Sequence, residues 1–457
     1  MNTDKKYHLI GIGGIGMSGI ARLMRARGIA VSGSDAKRSA ATDELASLGC
    51  GICIGHAAAN VSGADEVIYS SAIRADNPEM AEAARRGIPV RRRAEALAQL
   101  MEDKKVITVS GAHGKTTTSS LVSHMLITAG LSPTVAVGGI FKNIGNNVYS
   151  GSGDYFVAEA DESDGTFLCY HPTYSIITNI DREHLDYYHD FNALLDAFRR
   201  FMEQTEPKGC LFCCGQDPHL RKLLSTYKGR AVLYGFDEEL EMRAASIRIK
   251  ELSSEFDCFR RGEFLARFRL NLGGSHNVSN ALAVVALGME MGIGIGTIGK
   301  ALESYQGAGR RLDVKLRTAR WIVVDDYAHH PTEIRATLGA LAQMECARRI
   351  IVFQPHRYTR TKLLLDEFGA CFAQADKVII TDIYAASEAP IEGVKAELIV
   401  EAIRRNSPGM VVEYVPRDKL VDAVLAQVKP RDLVATLGAG DITRVSDEVA
   451  AQLSKRD

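Results

Sequence analysis

Residues 106–118 read VITVSGAHGKTTT, and no other stretch constrains the fold as much. The β-branched run from Val106 to Val109 leads into Gly111, Ala112, His113, Gly114, Lys115, Thr116 and Thr117. β-Branched residues favour a strand, and the glycines allow a tight turn. A helix-compatible segment follows and stops near Gly130. Strand, glycine turn and helix N-terminus together make an anion cradle, because backbone N–H groups and the helix dipole point at phosphate. Lys115 can reach the β/γ-phosphates of a nucleotide, and the Thr116 hydroxyl can hold Mg²⁺. The spacing departs from the common Walker A loop, which has a glycine where this chain has Val109.

The rest of the chain alternates strand-like and helix-like segments. YHLIGIG, a helix over Ser18–Arg27, IAVSGSD, EVIYSSA and IPVR form a first unit. A helix near 94–105 leads into a second, which carries the phosphate loop, strands at 155–161 and 174–180 and a long helix over 191–204. Between 231 and 272, FDCF and FLARFRLNL alternate around Arg261-Gly262, which predicts an antiparallel hairpin. The third unit has strands at 321–326, 349–354, 377–382, 410–415 and 432–437, a doubly wound, mostly parallel pattern. The predicted fold is therefore α/β in three domains, with boundaries at 1–95, 96–311 and 312–457. A length of 457 residues suits that number of cores.

Polar clusters recur where strands end: Glu159 to Asp161, Asn179 to His184, Asp325 to His330, Gln354 to Arg360 and Gly438 to Asp441. In open α/β sheets, ligands bind outside the carboxyl ends of strands, so these clusters predict a cleft. The net charge of −1 gives no bulk attraction to nucleic acid or membranes. No apolar run is long enough to span a bilayer, and the N-terminus enters a strand directly, so a cytoplasmic location is expected. Cys50 and Cys53 form a CxxC, and Cys210, Cys213 and Cys214 lie in GCLFCC. These read as small buried hydrophobes in a reducing compartment rather than a zinc site.

Gly11, Gly13 and Gly16 match the dinucleotide fingerprint, with Asp35 at the end of the next strand. Alone, this suggests a dehydrogenase. These glycines guarantee only close approach to a diphosphate, which UDP also carries. A second phosphate loop in the same chain favours two nucleotides over NAD(P). A dehydrogenase leaves Lys115, Thr116 and Glu159 unexplained, and a non-catalytic UDP-sugar sensor would not need them.

At this point the sequence resembles the Mur ligase family. The matching runs include GIGGIGMSGIA (11–21), SSAIRADNPE (70–79), SGAHGKTTT (110–118), EADESD (159–164), TNIDREHLD (178–186), SHNVSNALA (275–283), QGAGRRLD (306–313), VVDDYAHHPTE (323–333), FQPHRYTRT (353–361) and LGAGDI (437–442). They span essentially the whole chain in order. Folylpolyglutamate synthase shares the ATP core but resembles neither the first domain nor the SSAI run. Glu183 stands where many Mur relatives have Asp.

The resemblance implies a Rossmann-like UDP-binding domain, a P-loop ATPase-like central domain with an added β-hairpin, and a C-terminal Rossmann-like closing domain. It implies ATP-dependent joining of L-alanine to UDP-N-acetylmuramate through an acyl phosphate, in peptidoglycan precursor synthesis, by a monomer or homodimer. The alternative is a murein-peptide ligase acting on the same nucleotide sugar. ATP and Mg²⁺, at two sites, are the implied cofactors, with no NAD(P). The loop from Gly111 to Thr117 would take the phosphates, with Lys115 as the bridging cation. Thr116 and Glu159 would ligate one Mg²⁺ and His184 a second. Asn277 and Asn280 would hold adenine, Asp326 the ribose, and Arg311 the γ-phosphate. Tyr327, His329, His356, Arg357 and Arg360 would form the alanine end. Gly13, Gly14, Ile15, Gly16, Met17 and Ser18 would hold the UDP phosphates, with Asp35, His56, Ser71, Ala72 and Ile73 around uridine.

Overall fold

The strands gather into three sheets in a computed structural model that describes residues 1–70 and 72–456. The first sheet contains β1 (Lys6–Ile10), β2 (Ala30–Asp35), β3 (Gly51–Ile54), β4 (Glu66–Tyr69) and β5 (Val90–Arg92). All are parallel, in the order β3-β2-β1-β4-β5. The order reverses at β1, and that reversal opens a crevice at the carboxyl ends of β1, β2 and β4.

The second sheet contains β6 (Lys105–Ser110), β7 (Thr134–Phe141), β8 (Asn146–Tyr149), β9 (Tyr155–Glu159), β10 (Tyr174–Ile177), β11 (Cys210–Cys214), β12 (Ala231–Gly235), β13 (Met242–Lys250), β14 (Ser253–Arg260) and β15 (Glu263–Leu270). Its order is β15-β14-β13-β12-β11-β10-β6-β9-β7-β8. β6 thus lies between β10 and β9, parallel to both. Three segments far apart in sequence therefore end side by side. Arg261 and Gly262 join β14 to β15 with φ of 52° and 84°, the positive pair that a two-residue hairpin turn requires. Cys210, Cys213 and Cys214 are buried in β11, where burial raises their thiol pKa values.

The third sheet contains β16 (Asp313–Arg317), β17 (Trp321–Asp326), β18 (Arg349–Phe353), β19 (Lys377–Ile380), β20 (Val411–Tyr414) and β21 (Asp432–Leu437). Its order is β16-β17-β21-β18-β19-β20, with β16 antiparallel at the edge. Period-two alternation sends Val323, Ile350, Val352 and Val434 into one core and Val324, Ile351, Phe353 and Ala435 into another. Both faces are buried, so these strands are continuous apolar runs, as doubly wound sheets require.

By compactness the chain forms two units. One is Met1–Ala245 with Asp257–Phe268 and Ser279–Gln306; the other is Ser246–Phe256 with Arg269–Val278 and Gly307–Asp457. The fold is the expected α/β class. The first helix begins at Ile15, not Ser18, because Gly14 is extended and caps it. β3 and the helices Ala40–Ser47 and Pro78–Arg86 lack the apolar signal that marked their neighbours; β3 is a short edge strand of partly exposed residues.

Candidate active site

β6 delivers the chain into the glycine loop, and the helix Lys115–Thr128 starts immediately after it. Gly111 has φ of 123°, and a Cβ there would meet the Asn179 carbonyl at 2.8 Å as well as the Thr178 hydroxyl. The loop is clamped by the end of β10. Ala112 N–H donates to Asn179 O at 3.1 Å, and His113 N–H to Asn179 Oδ1 at 2.9 Å. Thr178 Oγ1 and Asn179 Nδ2 both donate to His113 O, at 2.6 and 3.0 Å. His113 Nε2 lies 3.0 Å from Asp181 Oδ2. Gly114 has φ of 84°, and Asn280 packs against it.

Lys115 closes onto this frame. Its ammonium donates to Gly111 O at 2.7 Å and to both Glu162 oxygens at 3.0 and 2.9 Å. Asp161 Oδ1 is 3.9 Å away. Thr116 Oγ1 donates to Glu159 Oε2 at 2.9 Å, and Gly138 N–H donates to the same oxygen at 2.8 Å. His184, at φ 58°, directs Nε2 to within 3.6 Å of Glu162 and 3.7 Å of Glu183. Four of the residues expected at the phosphoryl site therefore stand together: Lys115, Thr116, Glu159 and His184.

The local field follows from this packing. Burial pulls the Lys115 pKa down, but Glu162, Asp161 and Glu159 outweigh it and hold the ammonium well above its ordinary range. Burial raises the Glu159 carboxyl despite Lys115 nearby. Burial also opposes charge on His184, but Glu162 and Glu183 more than offset it and raise its pKa. The donors at Thr116 and Glu159 are hard oxygens beside a carboxylate excess, a set that fits Mg²⁺.

In the first sheet, Gly13 N–H donates to Asp35 Oδ2 at 2.9 Å, which ties the glycine turn to the end of β2. Gly14 N–H bonds Gly11 O at 3.1 Å, and a Cβ at Gly16 would meet Arg93 at 2.6 Å. Ile15 is exposed and Met17 is buried. Ser18 Oγ bonds Ile15 O at 3.2 Å. His56 Nδ1 is 3.2 Å from Ser34 Oγ and 3.5 Å from Glu79. Ile73 packs beside Gly11, and Ala72 N–H donates to Ser70 Oγ at 3.3 Å. Ser71 lies outside the described residues. Glu79 is fully buried among His8, Ser34 and Asn60; burial opposes its ionisation, but their hydrogen bonds bring its pKa to about 2.

In the second compact unit, Tyr327 and His329 pack edge to face, and so do His329 and His356, with centroids 5.4 and 5.5 Å apart. Tyr384 stacks on His356 at 5.7 Å, and Arg360 Nη1 lies 3.2 Å from His356 Nδ1. Burial and the neighbouring His329, Arg360 and Arg357 push His356 down to about 3, so it stays neutral. Arg357, at φ 69°, donates its N–H to Tyr384 O at 2.9 Å. Two guanidinium groups beside a neutral imidazole have the chemistry to take a carboxylate. Arg311 stacks over Tyr327 at 5.1 Å, 3.5 Å from Glu333. Asp326 accepts from Leu312 N–H at 2.6 Å and Ala328 N–H at 2.8 Å. Asn277 donates its side-chain N–H to Gly273 O at 2.8 Å.

Sequence reading did not assign roles to Glu162, Asn179, Glu79, Tyr384 or His276. The first three lie inside runs it had marked as polar strand endings or motif matches. His276 lies in such a run too, SHNVSNALA, and Tyr384 carried no local signal.

Residues 6–105 match the Mur ligase family, catalytic domain, residues 109–288 the Mur ligase middle domain, and residues 310–440 the Mur ligase, glutamate ligase domain. The UDP-N-acetylmuramate–L-alanine ligase of Syntrophus aciditrophicus (strain SB) is 45% identical over 452 residues, 99% of this chain and 94% of its own. The ligase of the same name from Anaeromyxobacter sp. (strain Fw109-5) is 48% identical, covering 98% of each chain. The crystal structure of a UDP-N-acetylmuramate-alanine ligase from Thermotoga maritima superposes with a TM-score of 0.85 at 29% identity, covering 99% of this chain and 100% of that one. A murein peptide ligase from Psychrobacter arcticus shares the fold, with a TM-score of 0.72 at 22% identity over 98% of each chain.

Proposed function

This chain belongs to the Mur ligase family, and from that premise we propose that it joins L-alanine to UDP-N-acetylmuramate, converting ATP to ADP and phosphate, in peptidoglycan precursor synthesis. The full-length likeness to the two alanine ligases carries this reading. The murein-peptide alternative rests on weaker likeness, at 22–28% identity.

The chemistry explains the residue types. A carboxylate is a poor acyl donor at neutral pH. Phosphorylation of the muramoyl carboxylate gives an acyl phosphate, which the alanine amine attacks and from which phosphate leaves. Bringing a carboxylate to a polyphosphate joins two anions, so cations must neutralise the transfer. Lys115 supplies one, with Gly111, His113, Gly114 and Thr117 shaping the cradle. Thr116 and Glu159 would hold Mg²⁺, and His184 a second ion; bound there, Mg²⁺ polarises the transferring phosphoryl group. Asn277 and Asn280 are assigned to adenine, Arg311 to the γ-phosphate and Asp326 to the ribose, which would use a lone pair left over from its backbone bonds. Arg357 and Arg360 receive the alanine carboxylate beside Tyr327, His329 and His356. The turn Gly13–Ser18, with Asp35, His56, Ala72 and Ile73, takes UDP. The functional domains follow the boundaries 1–95, 96–311 and 312–457, in a cytoplasmic monomer or homodimer. No helix among the described residues is long and apolar enough to cross a membrane.

The test is phosphate release from ATP with UDP-N-acetylmuramate and single amino acids. Release should depend on L-alanine, exceed that with glycine by a modest factor, since one methyl contributes only ~1–3 kcal/mol, and be small with bulky side chains. Efficient use of D-glutamate, a diamino acid or a peptide would overturn the reading.

A further inference from the structure

Lys115 is fully engaged before any nucleotide arrives. Its ammonium has three N–H donors, and four acceptors surround them: Gly111 O and the two Glu162 oxygens within 3.0 Å, and Ala112 O at 3.3 Å. Glu162 is 1% exposed, so water does not screen this pair. Its backbone is fixed as well: Glu162 O accepts from Tyr188 OH at 2.6 Å and from Gly165 N–H at 3.1 Å. The same carboxylate lies 3.6 Å from His184 Nε2. One buried acid thus touches both the phosphate-loop lysine and the strand-end histidine.

We propose that Glu162 is a positioning residue that occupies Lys115 in the nucleotide-free enzyme and competes with the terminal phosphates of ATP and ADP for it. The proposal rests on the reading that Lys115 meets phosphate. Lys115 can donate to a phosphate only by giving up a bond it already makes, and where that bond is to Glu162 one charge-assisted partner is exchanged for another. Glu162 therefore weakens nucleotide binding while holding Lys115 and His184 in their working places. Product release benefits from the same competition, because the carboxylate is ready to take Lys115 back.

The test is ADP binding by calorimetry in chelator, without divalent cations, on the full chain. Glu162→Gln removes the charge and keeps the shape. It should bind ADP about threefold tighter or more, as expected for release of a buried ion pair, while kcat for ligation falls about tenfold. Glu162→Asp should shift affinity in the same direction by less, and it serves if the Gln variant does not fold. In a Lys115→Met background the gain from Glu162→Gln should vanish. Unchanged or weaker ADP binding in a folded variant, or a gain that persists without Lys115, overturns the proposal. ADP binding needs no amino acid or nucleotide sugar, so a wrong choice of ligase substrate leaves this test intact. A wild-type protein that binds no ADP overturns the proposal together with the phosphate reading of Lys115.

Discussion

His276 shows how much one position can hold. It lies in the first turn of the helix Ser275–Glu290, where the helix dipole disfavours a cation, with Arg311 and Glu333 around it. Burial, then Arg311, lowers its pKa to about 4. The unfolded chain binds the proton from about pH 6.5 downward, and the folded protein does not until about pH 4. The unfolded state thus holds more protons in that window, so stability falls as pH falls through it, by at most roughly 3 kcal/mol. Above pH 6.5 both states are neutral, and His276 has no pH effect. His276→Gln should flatten this limb. The check is the urea midpoint at pH 7.5 and pH 5 for both proteins, and an equal drop in both would refute the claim. At this scale, Lys115 and Thr116 were legible as candidates through the glycine loop, and Glu159 and His184 through polar clusters where buried strands end. Glu162 and Asn179 were not. Their partners are a lysine 47 residues away and a loop 66 residues away, which become neighbours only once β6 is paired with β9 and β10.

Strands and the loops leaving them carry the site. β17 and β21 run over the residues the apolar pattern marked, because both faces of each are buried and the pattern has no exposed positions to blur it. β3 and the helix Pro78–Arg86 escaped notice because partial exposure mixes their polar and apolar residues. The strand–loop–helix element is demanding of its backbone. Gly111 and Gly114 both have positive φ, but their neighbours differ in mobility. A Cβ at Gly111 would meet the Asn179 backbone, whereas the nearest atoms to a Cβ at Gly114 belong to the Asn280 side chain, at 2.9 Å. A side chain can rotate away, and a carbonyl fixed by Ala112 N–H cannot. Each Ala substitution carries about 1–2 kcal/mol of left-handed strain, and Gly111→Ala adds the backbone clash. Gly111→Ala should therefore melt several degrees below Gly114→Ala, while both weaken ATP binding. Equal melting temperatures would show that the loop yields at both positions.

Across the whole molecule, the nucleotide-sugar turn and the phosphate loop end different sheets, β1–β2 in one case and β6 in the other. They still share a structural seam. Asn147, next to β8's first residue, donates its side-chain N–H to Ile15 O at 3.0 Å, and Val148 packs against Gly19. The Gly13–Ser18 turn thus draws support from the middle sheet, but not from Lys115 or Glu159, whose hydrogen bonds go to Gly111, Glu162, Thr116 and Gly138. On the proposed reading, their loss would remove a cation and a Mg²⁺ ligand from phosphoryl transfer, an effect on the order of hundredfold or more in rate. Lys115→Ala and Glu159→Ala should therefore abolish ligation while UDP-N-acetylmuramate affinity stays within about twofold, well under the 1.4 kcal/mol that a tenfold change represents. The reciprocal variant, Asn147→Ala, should weaken nucleotide-sugar binding by loosening the helix behind the glycine turn, with ADP affinity retained. Calorimetry of both ligands on the three variants separates the cases. A tenfold loss of nucleotide-sugar affinity in folded Lys115→Ala would mean that the two loops act as one site.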